Sequence, residues 1–469
     1  MLVRIVRHYV PFSVVVLGAV EILILLGTMY LGVALRFPGG IDPNTELGAH
    51  ILPILPKALV FVVVMFASMM AFGLYQREQQ QSSAGYFGRC VASFLTGLLV
   101  MVLIFYAVPE LYLGRGAFAF TFLLAFVGHL VARVVFLRLV DHKALRRRIL
   151  VLGTGSRAAK ISQLDKYNGS SERFHVVGYV PLNDSHRAVD PSMIIEQSDS
   201  LDAITRKYKI DEIVVGVRDR RHGDMPMDEL LERKMSGTGV IDLLTFFERE
   251  TGKVELESLN PSWLIFSDGF RLGILKRIAK RIFDLIASSI LLFITLPVVL
   301  LIAILIRLES PGPILYRQER VGQAGRTFSL LKFRSMREDA EADGTPQWAS
   351  QDDARCTRVG RIIRALRIDE LPQLLNVLRG QMSFVGPRPE RSKFVKDLTK
   401  QINYYGYRHT VKPGITGWAQ VSYPYGASVK DAQEKLQYDL YYVKNQSLFL
   451  DLVILAQTAH IVLFGKGAR

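Results

Sequence analysis

Between Leu366 and Glu390 the sequence LRIDELPQLLNVLRGQMSFVGPRPE places an adjacent carboxylate pair, Asp369 and Glu370, ahead of an apolar repeat and a proline-flanked arginine, Arg388. Leu371, Leu374, Leu375 and Leu378 recur at i, i+3, i+4 and i+7, the spacing of one apolar helical face. On that reading Asp369 stands where a helix N-cap belongs, and Gly380 after Arg379 is the stop. Carboxylates at the positive end of a helix lie beside unpaired backbone N–H groups. That favours their ionised form, and the same place can attract a phosphate. Arg388, between Pro387 and Pro389, cannot belong to a regular helix or a central strand, so it is a cation held on a stiff loop. An Asp-Glu pair at a helix start is also ordinary capping chemistry. The functional case therefore depends on the rest of the chain.

The basic residues of the C-terminal third gather near glycine and proline: Arg317, Arg320 and Gly322; Lys332 and Arg334; Arg358, Arg361, Arg364 and Arg367; Arg388; Arg408; and Lys412-Pro-Gly414. A substrate with two phosphates needs such a lining, because arginine binds phosphate bidentately. A basic surface facing a membrane is the other reading. Two carboxylates among many cations point to Mg²⁺, which prefers one or two carboxylates plus substrate phosphates. The sequence has no histidine cluster, so zinc is not expected.

These residues sit at the end of 469, a length that suits about three domains. The net charge of +15 suits nucleic acid, an anionic membrane face or phosphorylated substrates. No zinc-finger spacing, RNP-like motif or basic-aromatic tract is present, so nucleic acid is not an expected partner. Cys90 and Cys356 give no disulfide framework and no metal cluster, which fits a reducing compartment.

Apolar residues are concentrated in the first 140. Segments at about Pro11–Leu35, Ile51–Tyr75, Tyr86–Val108 and Ala117–Leu139 each approach the ~20 residues that cross a bilayer as a helix. The first is read as a retained anchor rather than a signal peptide, since no small-residue cleavage site follows it. Arg36 and Arg115 stand alone in their loops, whereas Lys143, Arg146, Arg147 and Arg148 follow the fourth segment. The positive-inside rule puts the N-terminus and everything from residue 141 in the cytoplasm. Glu21 and Arg133 fall within spans, and no role is assigned to either.

Residues 141–250 change character. Ile149–Leu152 is a short apolar run followed by Gly153-Thr-Gly155-Ser-Arg-Ala158, and strand-like runs recur at His175–Val180, Glu212–Val217 and Val240–Leu244. The alternation predicts a small parallel, Rossmann-like α/β domain. Gly153 and Gly155 match a dinucleotide turn. The acid expected after the second strand is missing, however; Pro181 and Asn183 come first and Asp184 is late. Nucleotide binding and a scaffold or dimerisation role both remain open for this domain. A linker, 251–275, carries Trp263, Phe266 and Phe270.

The run Ile282–Ile306 would extend ~37 Å as a helix, enough to span. Lys276, Arg277, Lys280 and Arg281 precede it, Arg307, Arg317 and Arg320 follow it, and Pro297 interrupts it. Two basic flanks and a mid-run proline predict a re-entrant helix over 280–306. A plain fifth span is the alternative, and it would place Asp369 and Glu370 outside the cell. Leu448–Phe464 is apolar but broken by Asp451, Gln457 and His460, as in an interfacial or core helix.

Seven ordered motifs carry a family resemblance: Lys280-Arg-Ile-Phe-Asp284, the Pro297-interrupted run, SPGPILYRQERVG, LLKFRSM, IDELPQLLNVLRG, MSFVGPRPE and VKPGITGWAQV. Together they resemble the bacterial sugar transferases, the polyprenyl-phosphate hexose-1-phosphate transferases or monotopic phosphoglycosyl transferases, over residues 276–469. The N-terminal half resembles the large form that starts exopolysaccharide or O-antigen subunits, and residues 257–270 resemble its exosortase-associated branch. The resemblance implies a membrane protein of mixed fold: four transmembrane helices over 1–140, the α/β domain over 141–250, and a mainly α catalytic domain over 276–469. It implies transfer of a sugar phosphate from a UDP-sugar to undecaprenyl phosphate at the cytoplasmic face of the bacterial inner membrane, with UMP released and Mg²⁺ required. Asp369 would be the nucleophile of a phosphosugar-enzyme intermediate and Glu370 a metal ligand. Arg388 would hold a phosphate, with Lys280, Arg281 and Asp284 where the re-entrant helix meets the membrane. Many members carry serine where this chain has Leu296, so the bend at Pro297 lacks that hydroxyl. A membrane-anchored nucleotide-sugar dehydratase would need Tyr-x-x-x-Lys, and none of the 18 tyrosines has lysine four residues on. A non-enzymatic assembly scaffold would leave the coincidence of Asp369, Glu370, Arg388 and Lys412 without a reason.

Overall fold

A computed structural model of the chain describes residues 2–464 apart from 6–7, 43, 46–47, 49–50, 76–82, 140–145, 168–173, 183–186, 197–199, 218–224, 260–268, 271–272, 337–354, 425 and 427. Lys143, Asn183, Asp184, Trp263 and Phe266, each used in the sequence reading, lie outside the described residues. The chain packs as two compact units. One comprises residues 1–5, 9–28 and 123–267, the other 6–8, 29–122 and 268–469.

The apolar segments form helices Phe12–Arg36, Ile54–Ala71, Ser83–Ala107 and Arg115–Leu139. With Ile274–Glu309, five helices among the described residues are long and apolar enough to cross a bilayer. Large side chains such as Leu23, Val63, Leu99, Leu103 and Leu123 stay exposed on them, as they do where lipid is the solvent. The chain is a membrane protein. In the first unit Glu21 is buried against Arg133, Nε to Oε1 2.8 Å, and His129, Nδ1 to Oε1 3.1 Å. In the second, Phe61 and Phe118 meet edge to face.

Residues 147–242 of the first unit build a four-stranded parallel sheet in the order Phe174–Val180, Arg147–Leu152, Glu212–Val215, Gly239–Asp242. Leu152 pairs with Val180 on one side and Val215 on the other. Strand alternation sorts the core: Ile149 and Val151 face one cluster with Phe174 and Phe246, Leu150 and Leu152 the other with Ile204 and Ile213. The last strand is shorter than expected. It ends at Asp242, whose carboxylate accepts from Leu244 N and Thr245 N and so starts the helix Leu243–Thr251. Gly153 leaves its strand at φ +108, a conformation that needs glycine.

In the second unit the helix Ile274–Glu309 runs 36 residues, and Pro297 lies inside it without ending it. Its two parts dock on one C-terminal fold. Arg281 reaches the carbonyls of Val377 and Leu378, while Ile302 and Ile306 pack with Phe333 and Ile363. Between them Ile286, Ile290, Phe293 and Ile294 are exposed. An antiparallel hairpin, Leu315–Val321 with Thr327–Phe333, is followed by the helix Arg358–Ala365 and the short helix Gln373–Leu378. Strand Ser383–Val385 pairs in parallel with Gly414–Thr416. Helices Ser392–Gln401, Trp418–Ser422, Val429–Asn445 and Leu448–Phe464 complete the unit.

Candidate active site

Asp369 and Glu370 lie in a single 3₁₀ turn, Ile368–Glu370, and not at a helix N-cap. Pro372 stands immediately before the α-helix, which starts at Gln373. The face turned inward also differs from the leucine stripe: Gln373, Leu374, Asn376 and Val377 are buried. Asn376 explains the polar part. Its Oδ1 accepts from Leu331 N at 3.0 Å and its Nδ2 donates to Ser329 O at 2.8 Å, tying the helix to the hairpin. Gly380 does end the helix, at φ +79. Arg367 holds a left-handed φ of +56, which turns the chain from the helix Arg358–Ala365 into the carboxylate turn.

The hairpin delivers Lys332. Its Nζ is 2.9 Å from Glu370 Oε1 and 3.7 Å from Asp369 Oδ2. Arg388 Nη2 reaches the same Glu370 oxygen at 2.9 Å, and its Nη1 donates to Gln420 Oε1 at 2.9 Å. Four successive carbonyls fix the loop that carries Arg388. Pro387 O accepts from Gly414 N, Arg388 O from Arg408 Nη2, Pro389 O from Arg320 Nη1, and Glu390 O from Val321 N. Prolines cannot donate, so the loop is held through its acceptors. Arg408 is itself buried on Asp439, Nε to Oδ2 2.9 Å. A Cβ at Gly386, Gly414 or Gly417 would collide with neighbouring backbone, which accounts for the glycines of both loop motifs.

The two carboxyls are set apart electrostatically. Burial works against the charge on Glu370, but Lys332 and Arg388 outweigh it and hold this carboxyl well below the usual carboxylate range. Burial pushes Asp369 up, with the neighbouring Glu370 adding to the rise and Lys332 opposing it. Asp369 is the carboxyl whose ionisation is less favoured. Among the described residues its charge has a cation within reach, Lys332, but no short ion pair. Such a group in a cationic setting can serve as a nucleophile or ligand.

Of the residues singled out in the sequence, the structure joins Asp369, Glu370, Lys332 and Arg388 in one network, with Arg320 behind the loop. Burial lowers the Arg320 guanidinium to about 10. Lys280 lies elsewhere, between Asp284 Oδ1 at 3.2 Å and Asp451 Oδ2 at 2.8 Å. Asp284 also accepts from Ser383 Oγ and Phe384 N. Arg281 caps the helix Gln373–Leu378, and Arg334 donates to Ser310 O, Ser310 Oγ and Pro311 O. Arg317 is exposed on the hairpin, and Lys412 lies beside Arg281. Gly153 and Gly155 belong to the α/β sheet, where Thr154 O between them accepts from Ala188 N.

Among the described residues no group of three or more histidine, cysteine or acidic side chains could hold a metal. Asp369 and Glu370 therefore fit Mg²⁺ only as a two-carboxylate set whose other ligands come from substrate oxygens and water. Sequence reasoning missed Gln420 and Asn376, the pairing of Arg408 with Asp439, and the pairing of Asp451 with Tyr442. It also missed His8, whose Nδ1 is 2.9 Å from Tyr441 Oη and whose ring meets Trp418 edge to face. Polar residues inside apolar or aromatic stretches were the available signal for Asp451 and Asp439.

The sequence matches the bacterial sugar transferase family over residues 275–465. It is 45% identical over 222 residues to an Aeromonas hydrophila UDP-N-acetylgalactosamine-undecaprenyl-phosphate N-acetylgalactosaminephosphotransferase, covering 47% of this chain and 52% of that protein. It is 45% identical over 193 residues to a Xanthomonas campestris pv. campestris UDP-glucose:undecaprenyl-phosphate glucose-1-phosphate transferase, covering 41% and 40%. A Caulobacter vibrioides protein of the same name as the latter is 43% identical over 202 residues, which cover 42% of this chain and 75% of that protein. The chain thus spans about half the length of the first two relatives.

Proposed function

The chain belongs to the bacterial sugar transferase family, and on that premise we propose that it transfers a hexose-1-phosphate from a UDP-sugar to undecaprenyl phosphate. UMP is released, and the product opens exopolysaccharide or O-antigen subunit assembly. The observation that carries the reading is the unequal carboxylate pair: Glu370 is pinned by Lys332 and Arg388, and Asp369 stands beside it with, among the described residues, Lys332 at 3.7 Å as its ion-pair partner.

An Asp369 carboxylate oxygen attacks the phosphorus that bears the sugar. The bond from that phosphorus to the bridging diphosphate oxygen breaks, and its electron pair leaves with UMP. A phosphate oxygen of undecaprenyl phosphate then attacks the same phosphorus and frees the carboxylate. Lys332 and Arg388 oppose the negative charge that gathers on the transferring group. Glu370 with Asp369 would hold Mg²⁺, which would supply further charge neutralisation when bound.

The long helix is read as re-entrant over 280–306, because both of its ends dock on one C-terminal fold while the middle is apolar and exposed. That keeps the carboxylates on the cytoplasmic face of the inner membrane, in line with basic residues on both flanks.

The test uses membranes containing the full chain, Mg²⁺, undecaprenyl phosphate and a panel of UDP-sugars, with UMP release followed. Asp369→Asn is expected to abolish release, and normal turnover by that variant would refute the nucleophile assignment. The panel also names the sugar. Cysteine labelling over 307–320 from the cytoplasmic side alone is expected, and labelling only from the periplasm would rule out the re-entrant helix.

A further inference from the structure

His8 precedes the helix Phe12–Arg36 in sequence, yet its ring packs among aromatic rings of the C-terminal fold. Ring centroids lie 5.5 Å from Trp418, 6.0 Å from Tyr441 and 6.3 Å from Phe449. The first two contacts are edge to face, an arrangement that aromatic rings favour. Nδ1 of His8 is 2.9 Å from Tyr441 Oη, and Trp418 and Tyr441 also meet each other at 6.0 Å. Trp418, Tyr441 and Phe449 belong to three different helices, Trp418–Ser422, Val429–Asn445 and Leu448–Phe464. Burial lowers the pKa of His8 to about 4. The ring is therefore neutral at physiological pH and acts by packing and a hydrogen bond, not by charge.

Trp418 opens a helix of five residues. A helix this short has too few internal hydrogen bonds to hold itself, so its place is set by what it packs on. Gly417, its N-cap, lies so close to Gly386 that a Cβ would strike the Gly386 carbonyl oxygen. Gln420 Oε1 accepts from Arg388 Nη1 at 2.9 Å. The other end of that guanidinium, Nη2, reaches Glu370 Oε1 at 2.9 Å. Trp418 and Gln420 are two residues apart on one short element, so a displaced indole carries the Gln420 backbone with it. The path from His8 to the carboxylate network is thus His8, Trp418, Gln420, Arg388, with a printed contact or a shared helix at each step.

We propose that His8 is a positioning residue for the transfer reaction: its ring wedges Trp418 in place and, through Gln420 on the same helix, fixes the Arg388 guanidinium at the carboxylate pair. The inference rests on the transferase reading and adds to it a dependence of the site on the segment ahead of the first membrane helix. That segment lies outside residues 275–465, the part of the chain that matches the family. Removing the ring would leave a gap beside a buried indole, and the short helix would settle into it. Arg388 would keep its charge and lose its aim, which matters most when charge gathers on the transferring group.

The test follows UMP release by the full chain in nanodiscs. His8→Ala is expected to lower kcat by about 10- to 100-fold, the effect of a misplacement of roughly 1 Å, with KM for the UDP-sugar nearly unchanged. His8→Phe, which refills the space with an aromatic ring, is expected to recover most of the rate. In a Gln420→Ala background His8→Ala should cost little more, because the path is already cut. A spectroscopic arm uses Trp263→Phe/Trp348→Phe, which leaves Trp418 as the sole tryptophan of the three. His8→Ala should move its emission to longer wavelength, and His8→Phe should not. If His8→Ala does not fold, His8→Gln is read in its place with the same expectations. Equal kcat in His8→Ala and the parent would overturn the proposal, as would a raised KM at unchanged kcat. Fully additive losses with Gln420→Ala would overturn the path through Gln420, and an unmoved emission would overturn the contact with Trp418. A parent protein that releases no UMP from any UDP-sugar, while His8→Ala still shifts the Trp418 emission, would overturn the transferase reading and support that contact.

Discussion

Lys280→Met takes away the ammonium that sits 3.2 Å from Asp284 Oδ1 and 2.8 Å from Asp451 Oδ2. Both carboxylates are buried, at 2% and 0% exposure. Asp284 keeps two donors, Ser383 Oγ at 3.0 Å and Phe384 N at 3.1 Å. Asp451 keeps the Tyr442 hydroxyl at 2.8 Å. Hydrogen bonds of that number do not replace a buried counter-charge. Breaking a buried pair from one side costs about 3–5 kcal/mol. At about 2–4 °C per kcal/mol for a fold of this size, the melting temperature falls by roughly 10 °C.

The assay is thermal melting of the detergent-solubilised full chain, followed by intrinsic fluorescence and by residual UMP release. The double variant Lys280→Met/Asp451→Leu is expected to recover most of the loss, because it removes one of the two stranded charges and fills the space with apolar volume. A residue that instead contacts a substrate phosphate behaves differently: the melting temperature holds and KM for the UDP-sugar rises. That pattern would refute the structural assignment of Lys280 and restore it to the substrate site.

The carboxylate pair gives stability effects of opposite sign. Asp369 has a raised pKa, so it contributes stability below its unfolded value that is lost as pH rises through the folded one. Asp369→Asn should therefore raise the melting temperature at neutral pH, with the gain shrinking as pH falls. Glu370 has a depressed pKa, so its contribution is present above the ordinary value of about 4.3 and lost below it. Glu370→Gln should lower the melting temperature at neutral pH and have a diminishing effect in acid. Gly414→Ala drives a Cβ into the Gly386 backbone. It should separate the two short strands, displace Arg388 and abolish UMP release in whatever protein folds. Asn376→Ala strands Leu331 N and should cost about 1–3 kcal/mol in the same melting assay.

Much of the site was legible because its residues break local rules. Adjacent acids in a basic stretch, and an arginine between two prolines, are unusual enough to notice without a structure. Pro372 was legible too, and the helix starts just after it, three residues later than the Asp369 cap implied. The four-leucine stripe misled for a related reason: a six-residue helix enclosed on several sides buries whatever faces its neighbours, including Gln373 and Asn376. The strand expected over Val240–Leu244 ended at Asp242 because a capping carboxylate overrides apolar propensity. The buried ion pairs were not legible. Lys280 with Asp451 and Arg408 with Asp439 join residues far apart in sequence, and a linear pattern does not say which buried charge meets which.

Adjacency in sequence makes Asp369 and Glu370 look interchangeable; their partners make them different. Glu370 receives both short contacts on one oxygen, so its charge is spent on Lys332 and Arg388 and its carboxyl is fixed in place. A carboxylate so engaged is a weak nucleophile, because attack would mean breaking two charge-assisted hydrogen bonds first. Asp369 shares Lys332 only at 3.7 Å and, among the described residues, is buried without a hydrogen-bonded cation. Its ionised form is therefore the less stabilised of the two and the one with more to gain from bonding to phosphorus. The same arrangement keeps Lys332 poised. A phosphate brought to Asp369 would meet an ammonium and a guanidinium already held by Glu370, so the ordering is done before substrate arrives. On the proposed mechanism Glu370 would build the site and Asp369 would react in it.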